Sequence, residues 1–218
     1  MGMHTVRQPW NLESVRRDKV TPVLVIGNGE SRKGIDIPPL RNDFILIGCN
    51  AIHRDTTVDH LVCCDRRMAE EATDNPNTQD TLIYVRDDWF NYFRKIKKNK
   101  NVRYVPNLPY QGDQKQDKPD NWGSGCYAIL LATSLSNEIS ILGFDLYGTN
   151  NRVNNVYKNT SNYSKEESNA VDPSYWIYQI GKIFSYHPNI TFTVINKPDW
   201  IMPWEWQYNN VKFQPASL

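Results

Sequence analysis

A short glycine-rich turn follows the first apolar run of the chain. Residues 23–26 are Val-Leu-Val-Ile, and Gly27, Asn28 and Gly29 come directly after them, with Ser31 close behind. Glycines allow a sharp turn and let backbone N–H groups approach a phosphate. A serine hydroxyl can cap a following helix. This order of residues predicts a nucleotide-binding turn at the end of a buried strand, with a plain structural turn as the alternative.

The turn matches two common phosphate-binding patterns only in part. The third glycine of the dinucleotide fingerprint would fall at position 32, which is Arg32. Gly34 is not followed by the Lys-Ser/Thr pair of a P-loop. The turn therefore does not by itself identify a nucleotide.

Two later positions carry polar groups suited to the same ligand. Asn50 follows an apolar run, and its side-chain amide can donate and accept hydrogen bonds to a base or ribose, although Asn is equally common in turns. Ser124 and Gly125 open a stretch that is apolar nearly all round. The N–H groups at such a helix start can bind an anion, or the small residues can serve only as a flexible entry to a core helix.

Asp145 and Tyr147 follow the apolar run at residues 139–142. The carboxylate could orient a hydrogen-bond donor or cap a loop, and the phenol could donate to a phosphate oxygen. Asp65, which follows the apolar run at residues 61–64, is a lone carboxylate with no second acid spaced to share a metal, and the four cysteines show no CxxC spacing. The sequence therefore predicts neither a metal nor a bound cofactor.

Seven apolar segments supply the strands that would position these residues. Continuous apolar runs, rather than alternating ones, indicate strands buried on both faces of a largely parallel sheet. We therefore predict one Rossmann-like α/β domain over residues 21–198, with six or seven strands and helices on both faces. The predicted strands are 23–27, 44–48, 61–64, 82–85, 102–105, 139–143 and 191–195. The predicted helices are 88–98, 125–136 and 174–186, the last with Asp172 as its N-cap and Pro173 at its first position.

The remaining segments are polar or aromatic. We predict that residues 1–20 form an N-terminal arm. Residues 106–121 and 149–170 are predicted to form polar loops that could cover a site. Residues 199–218 form an aromatic tail, which either packs back on the domain or makes a contact with a second copy of the chain or with a partner.

The composition argues against two classes of protein, nucleic-acid binders and membrane-spanning proteins. The 218 residues carry 25 basic and 24 acidic side chains, a net charge of +1, which argues against a general nucleic-acid binder. The longest apolar runs are about five residues, far short of the roughly twenty that a membrane span needs. No signal peptide is evident, so we expect a soluble, cytoplasmic protein without a transmembrane segment.

Taken in order, the glycine turn, Asn50, the Ser124-Gly125 pair and the Asp145/Tyr147 segment resemble the bacterial sialyltransferases that modify lipooligosaccharide. The set is also similar to small Rossmann-like nucleotide-binding proteins. The similarity covers residues 23–148 and extends more weakly to residue 195. It implies metal-independent, inverting transfer of a sugar from a CMP-activated donor to a hydroxyl of a glycan acceptor.

The resemblance also implies roles for individual residues. Asn28 and Asn50 would contact the cytidine nucleotide, the turn at Ser124 and Gly125 would lie beside it, and Tyr147 would contact the departing phosphate. The nucleotide-binding set predicted from the residues and the resemblance together is Gly27, Asn28, Gly29, Ser31, Asn50, Ser124, Gly125 and Asp145.

This chain departs from the family at the general base. The family has a His-Ser-Lys sequence before the last helix, whereas residues 162–165 here are Asn-Tyr-Ser-Lys. We expect Glu167 or Asp172 to take the role of the histidine. The alternative is a catalytically silent binding or assembly protein. A pyrophosphokinase is disfavoured because paired acids for Mg²⁺ are absent from the sequence.

Overall fold

The computed structural model describes residues 21–108 and 122–216. Eight strands lie in these ranges, and every neighbouring pair is parallel. They are β1 (Val23–Ile26), β2 (Ile45–Cys49), β3 (His60–Val62), β4 (Leu82–Val85), β5 (Val102–Tyr104), β6 (Glu138–Leu142), β7 (Thr191–Asn196) and β8 (Val211–Pro215). The order across the sheet is β5-β4-β3-β2-β1-β6-β7-β8.

Four α-helices connect these strands within the described residues. They are α1 (Arg66–Asp74), α2 (Asp87–Asn91), α3 (Ser124–Ala132) and α4 (Ser174–Tyr186). A π-helical turn, Tyr92–Ile96, continues α2. Short 3₁₀ turns lie at Glu30–Arg32, Pro38–Asn42, Asn50–Arg54, Pro76–Thr78 and Trp204–Trp206.

Apolar cores on both faces of the sheet explain the continuous apolar runs. In β1, Val23 and Val25 belong to a core that includes α3 and α4, while Leu24 and Ile26 belong to a core that includes α1. Successive strand side chains point to opposite faces, so a strand covered on both sides must be apolar at every position. The predicted α/β fold with a parallel sheet is confirmed.

The predicted strand number is wrong, because the sheet has eight strands rather than six or seven. The additional strand, β8, lies within the stretch predicted as an aromatic tail and pairs with β7. Only Val211 of its five residues is buried, so β8 has no apolar run that would reveal it. Pro215 is tolerated there because β8 is an edge strand with one side unpaired.

One helix was not predicted, and another has a different N-cap from the predicted one. Helix α1 was not predicted, although Asp65 caps it by accepting a hydrogen bond from the Arg67 N–H at 2.8 Å. At α4 the N-cap position is Pro173 rather than Asp172, and the Asp172 carboxylate accepts from the Ser174 N–H at 2.9 Å.

The strand order creates a crevice at the carboxyl edge of the sheet. The chain builds outward from β1 to β5, then crosses to place β6 on the other side of β1. The connection after β1 packs in the core that includes α1, whereas α4, which follows β6, packs in the core on the other face. Open α/β sheets bind ligands at such a switch point.

The N-terminal arm, the polar loop at residues 106–121 and the aromatic tail were predicted as segments without regular structure. The predicted arm at residues 1–20 and most of the loop at 106–121 lie outside the described residues. In the C-terminal part, Trp206 is fully buried, while 76 % of Trp204 is exposed. No helix in the described ranges has the length and apolar character needed to cross a bilayer.

Candidate functional site

A cavity of about 370 Å³ lies in the crevice at the carboxyl ends of β1, β2 and β6. Most of the residues predicted from sequence line it, although they come from four separate stretches of the chain. These lining residues are Gly27, Asn28, Gly29, Asn50, Ser124, Gly125, Asp145 and Tyr147. Three predicted residues, Ser31, Glu167 and Asp172, are not among those that line the cavity.

The glycine turn after β1 is bonded to the turn after β6. The N–H groups of Gly27 and Gly29 donate to the carbonyls of Leu142 and Gly143, each at 2.8 Å. A Cβ on Gly27 would lie 2.9 Å from the ring of Phe144. The glycines are needed here because the two turns come too close together for side chains.

The next two N–H groups after Gly29 are also bonded inside the protein. Glu30 N–H donates to Asn154 Oδ1 at 2.8 Å, and Ser31 N–H donates to the Asp145 carboxylate at 2.9 Å. The Ser31 hydroxyl donates to the same carboxylate. Asp145 and Ser31 are only 6 % and 2 % exposed, so their link is structural.

Asn28 connects the turn to two other walls of the cavity. Its Nδ2 donates to the carbonyl of Cys49 at 3.3 Å and to the hydroxyl of Tyr163 at 3.1 Å. Its Oδ1 is shielded from solvent and has no hydrogen-bond partner among the described residues. Burial raises the pKa of Tyr163, so its hydroxyl stays protonated at neutral pH. Sequence reasoning did not select Tyr163, although it directly precedes the Ser164-Lys165 pair that was compared with the His-Ser-Lys sequence of the sialyltransferases.

Asn50 is held in a left-handed conformation at the end of β2, with φ of 51°. Its Oδ1 accepts from the Ser124 hydroxyl at 2.8 Å, and that hydroxyl accepts from the Cys64 N–H at 2.9 Å. The chain of bonds orients the Asn50 amide, whose Nδ2 makes no hydrogen bond within the described part of the chain. This Nδ2 can therefore donate to a ligand.

Helix α3 begins at the cavity. Ser124 is its first residue, and no side chain caps its N-terminus. The first hydrogen bond of the helix runs from Tyr127 N–H to the Gly123 carbonyl at 3.2 Å. The N–H groups before Tyr127 thus lack intrahelical acceptors, and the helix dipole favours negative charge beside them. Gly123, Ser124 and Gly125 all line the cavity, so an anion bound there can approach this end of the helix.

Tyr147 is the most accessible of the predicted polar residues that line the cavity, with 41 % of its surface exposed. Burial raises the pKa of its phenol, and the nearby carboxylate of Glu205 raises it further. The hydroxyl is therefore a hydrogen-bond donor at neutral pH. Its backbone is fixed, since Asn154 Nδ2 donates to the Tyr147 carbonyl at 3.1 Å.

The Asn-rich segment, residues 149–170, forms the outer wall of the cavity. Its anchor is Tyr157, whose hydroxyl donates to the Asp55 carboxylate at 2.5 Å and accepts from the Arg32 guanidinium at 2.7 Å. Arg54 adds a second anchor by donating to Thr160 Oγ1 at 2.8 Å and to the Ser161 carbonyl at 3.0 Å. The segment is therefore held in place by three charged residues, Arg32, Arg54 and Asp55, which sequence reasoning did not select.

The two carboxylates predicted as the general base lie on the surface. The backbone carbonyl of Glu167 accepts from the Arg152 guanidinium at 2.5 Å, and Asp172 accepts from the Ser174 N–H before α4. Both residues are exposed and lie outside the lining of the cavity. His53 is buried, with Nδ1 2.9 Å from the Asn50 carbonyl and Nε2 3.2 Å from Glu71 Oε1.

The described residues contain no cluster of three or more His, Cys, Asp or Glu side chains that could hold a metal ion. No protein-family model, curated protein or solved structure matches this chain. A functional assignment therefore depends on the chemistry of the cavity.

Proposed function

We propose that the protein is a metal-independent glycosyltransferase that passes a sugar, with inversion, from a CMP-activated donor to a hydroxyl acceptor. One observation carries the proposal. The residues that the resemblance to sialyltransferases assigns to the donor nucleotide are far apart in sequence, yet they line one cavity at the switch point of the sheet. Ligands bind at this position in open α/β sheets.

The N-terminus of α3 is the part of the cavity best suited to the donor phosphate. Four N–H groups of the β1 turn, those of Gly27, Gly29, Glu30 and Ser31, are already bonded inside the protein, whereas those at Ser124 and Gly125 lack intrahelical acceptors. The Tyr147 hydroxyl would donate to the phosphate as it departs with additional negative charge. Asn50 Nδ2 would donate to an acceptor atom of the cytidine.

Calorimetric titration with CMP, UDP, ADP and NAD tests the nucleotide assignment. We expect selective binding of CMP. The CMP affinity of Asn28→Ala should be at least about tenfold weaker, because the variant lacks the hydrogen bonds that Asn28 donates to Tyr163 and to the Cys49 carbonyl. Asn91→Ala, an exposed change in α2, is the matched control and should bind CMP normally. Equal binding of all four nucleotides, or of none, would contradict the proposal.

The second candidate is a binding or assembly protein without catalysis. It is favoured by the exposure of Ile201 (78 %) and Trp204 (76 %) in the aromatic C-terminal segment. Exposed large apolar side chains are typical of interface cores. The partner in this case would be a second copy of the chain.

Substitution of Trp204 tests this candidate better than removal of residues 200–218. Removal would also take away β8 and the buried Trp206, and would damage the fold. The oligomeric state of the wild type and of Trp204→Ser is measured by analytical ultracentrifugation. A wild-type dimer that becomes monomeric in the variant supports assembly, whereas a wild-type monomer argues against it.

A further inference from the structure

A second cavity, of about 500 Å³, adjoins the first on the side of β7. The two cavities share Asp145, Tyr147, Gly148 and Asn154 as lining residues. The remaining lining residues of the second cavity are Thr149, Asn196, Lys197, Asp199, Trp200 and Ile201. Tyr147, the predicted contact of the departing phosphate, therefore lies between the two cavities.

The wall of the second cavity is held in place by hydrogen bonds to the end of β6. Trp200 Nε1 donates to the Asp145 carbonyl at 2.9 Å, and Trp200 N–H donates to the Lys197 carbonyl at 3.0 Å. Asn196 Oδ1 accepts from the Lys197 N–H at 2.8 Å. The turn that carries Asp199 is therefore built against the same strand end that carries Tyr147.

Two carboxylates line the cavities within the described part of the chain, Asp145 and Asp199. Both oxygens of Asp145 already accept from Ser31, and the residue is almost fully buried. Asp199 is exposed and makes no hydrogen bond or ion pair among the described residues. Of the two, Asp199 is the carboxylate that is free to accept a proton from a bound molecule.

We propose that the second cavity binds a saccharide acceptor and that Asp199 is the general base of the transfer. The proposal rests on the proposed glycosyltransferase function. The acceptor hydroxyl gives its proton to the Asp199 carboxylate, and its oxygen forms a bond to the anomeric carbon of the donor sugar. The bond between that carbon and the phosphate oxygen breaks, and its electron pair leaves with CMP.

The lining of the second cavity suits a saccharide. Thr149, Asn154 and Lys197 present hydroxyl, amide and ammonium groups, which hydrogen-bond sugar hydroxyls. The rings of Tyr147 and Trp200 provide apolar faces, on which the C–H face of a pyranose can pack. Glu167 and Asp172, the alternatives from sequence, line neither cavity.

Saccharide binding is measured first, with lactose as the probe and ligand-observed NMR in the presence of CMP. We expect a lactose signal with the wild type and its loss in Ile201→Arg. This change places a long side chain at an exposed position of the second cavity and leaves the first unchanged. Calorimetry should show unchanged CMP affinity in the variant. Absence of a lactose signal from a wild type that binds CMP would overturn the subsite.

The role of Asp199 is tested by rates with CMP-N-acetylneuraminic acid as donor and lactose as acceptor. We expect Asp199→Asn to bind CMP normally and to transfer about 10²–10⁴-fold more slowly. Asp43→Asn, an exposed change before β2, should behave as wild type. Transfer by Asp199→Asn within threefold of the wild type would overturn the role, whereas failure of the wild type to bind CMP would overturn the transferase function itself.

Discussion

Asp145, after β6, accepts hydrogen bonds from both the N–H and the hydroxyl of Ser31, after β1. The N–H bond is 2.9 Å long, and the two residues are 114 positions apart in the chain. The pair joins the turns on the two sides of the switch point and closes the floor of the first cavity. Both side chains were predicted to bind nucleotide, but the structure bonds them to each other.

Removal of the Asp145 carboxylate should destabilise the protein. Asp145→Ala leaves two buried donors of Ser31 without acceptors, and each buried unsatisfied group costs about 1–3 kcal/mol. We expect the free energy of unfolding to fall by about 2–4 kcal/mol, measured by urea denaturation with tryptophan fluorescence. Asp145→Asn keeps one acceptor oxygen and should lose about half as much. A loss below about 1 kcal/mol in the alanine variant would show that the Asp145–Ser31 link is dispensable.

Crowding at the glycine turn should impair nucleotide binding. A Cβ at Gly29 would overlap the Asp145 carboxyl group, so the turn must move in Gly29→Ala. We expect CMP affinity to fall at least about tenfold and stability by about 1–3 kcal/mol. Gly34→Ala is the control, because its Cβ meets no atom within 4 Å although its φ is 82°. That variant should lose some stability to backbone strain and keep its CMP affinity, measured by calorimetry.

The hydroxyl of Tyr163 should contribute to CMP binding through Asn28. Tyr163→Phe removes the acceptor of the Asn28 Nδ2 bond and frees the amide to rotate away from the ligand. Loss of one such bond, about 1 kcal/mol, corresponds to a roughly fivefold weaker CMP affinity in calorimetry. Tyr208→Phe, at a partly exposed tyrosine near β8, should bind CMP normally. Unchanged affinity in Tyr163→Phe would mean that Asn28 is held by Cys49 alone.

Tyr147 should act on turnover more than on donor binding. Its hydroxyl donates most strongly when the phosphate gains charge, so Tyr147→Phe should lower kcat by about 10²-fold with a small change in donor affinity. Steady-state rates and CMP titration separate the two effects. Tyr104→Phe, at an exposed tyrosine in β5, should match the wild type. Equal kcat in Tyr147→Phe would exclude a role of the hydroxyl in the transition state.

The cysteines should be unreactive in the folded protein. All four are buried, and burial raises the pKa of each, that of Cys64 from its ordinary 9.0 to about 12. At pH 8 a disulfide reagent should react only after unfolding, which absorbance of the released thiolate reports. Rapid labelling of native protein would contradict the buried placement.

The same thiols predict how stability changes at alkaline pH. In the unfolded chain the thiols ionise near pH 9.0, whereas the folded thiols stay protonated to higher pH. Their contribution to stability is therefore complete below pH 9.0 and is lost as the pH rises toward the folded values. Cys64→Ala should show a shallower loss of unfolding free energy between pH 9 and 11 than the wild type.

Local patterns in the sequence account for much of the fold. Continuous apolar runs such as Val23–Ile26 and Ile45–Cys49 indicate strands buried on both faces, and hence a parallel sheet. The edge strand β8 escaped prediction because four of its five residues are exposed. Helix α1 was missed although its Asp65 cap could have indicated it.

The amino-acid sequence by itself determined which residues follow the strands, because strand burial and turn formation depend on neighbours along the chain. It placed Asn28, Asn50 and Tyr147 at strand ends, but it gave no information on how far apart these residues lie in space. Only the tertiary structure decided their partners, because the position of β6 beside β1 depends on packing of the whole sheet. In the folded protein Asp145 bonds to Ser31, and Tyr163 bonds to Asn28 although the two lie 135 residues apart in the chain. The two cavities lie beside these contacts.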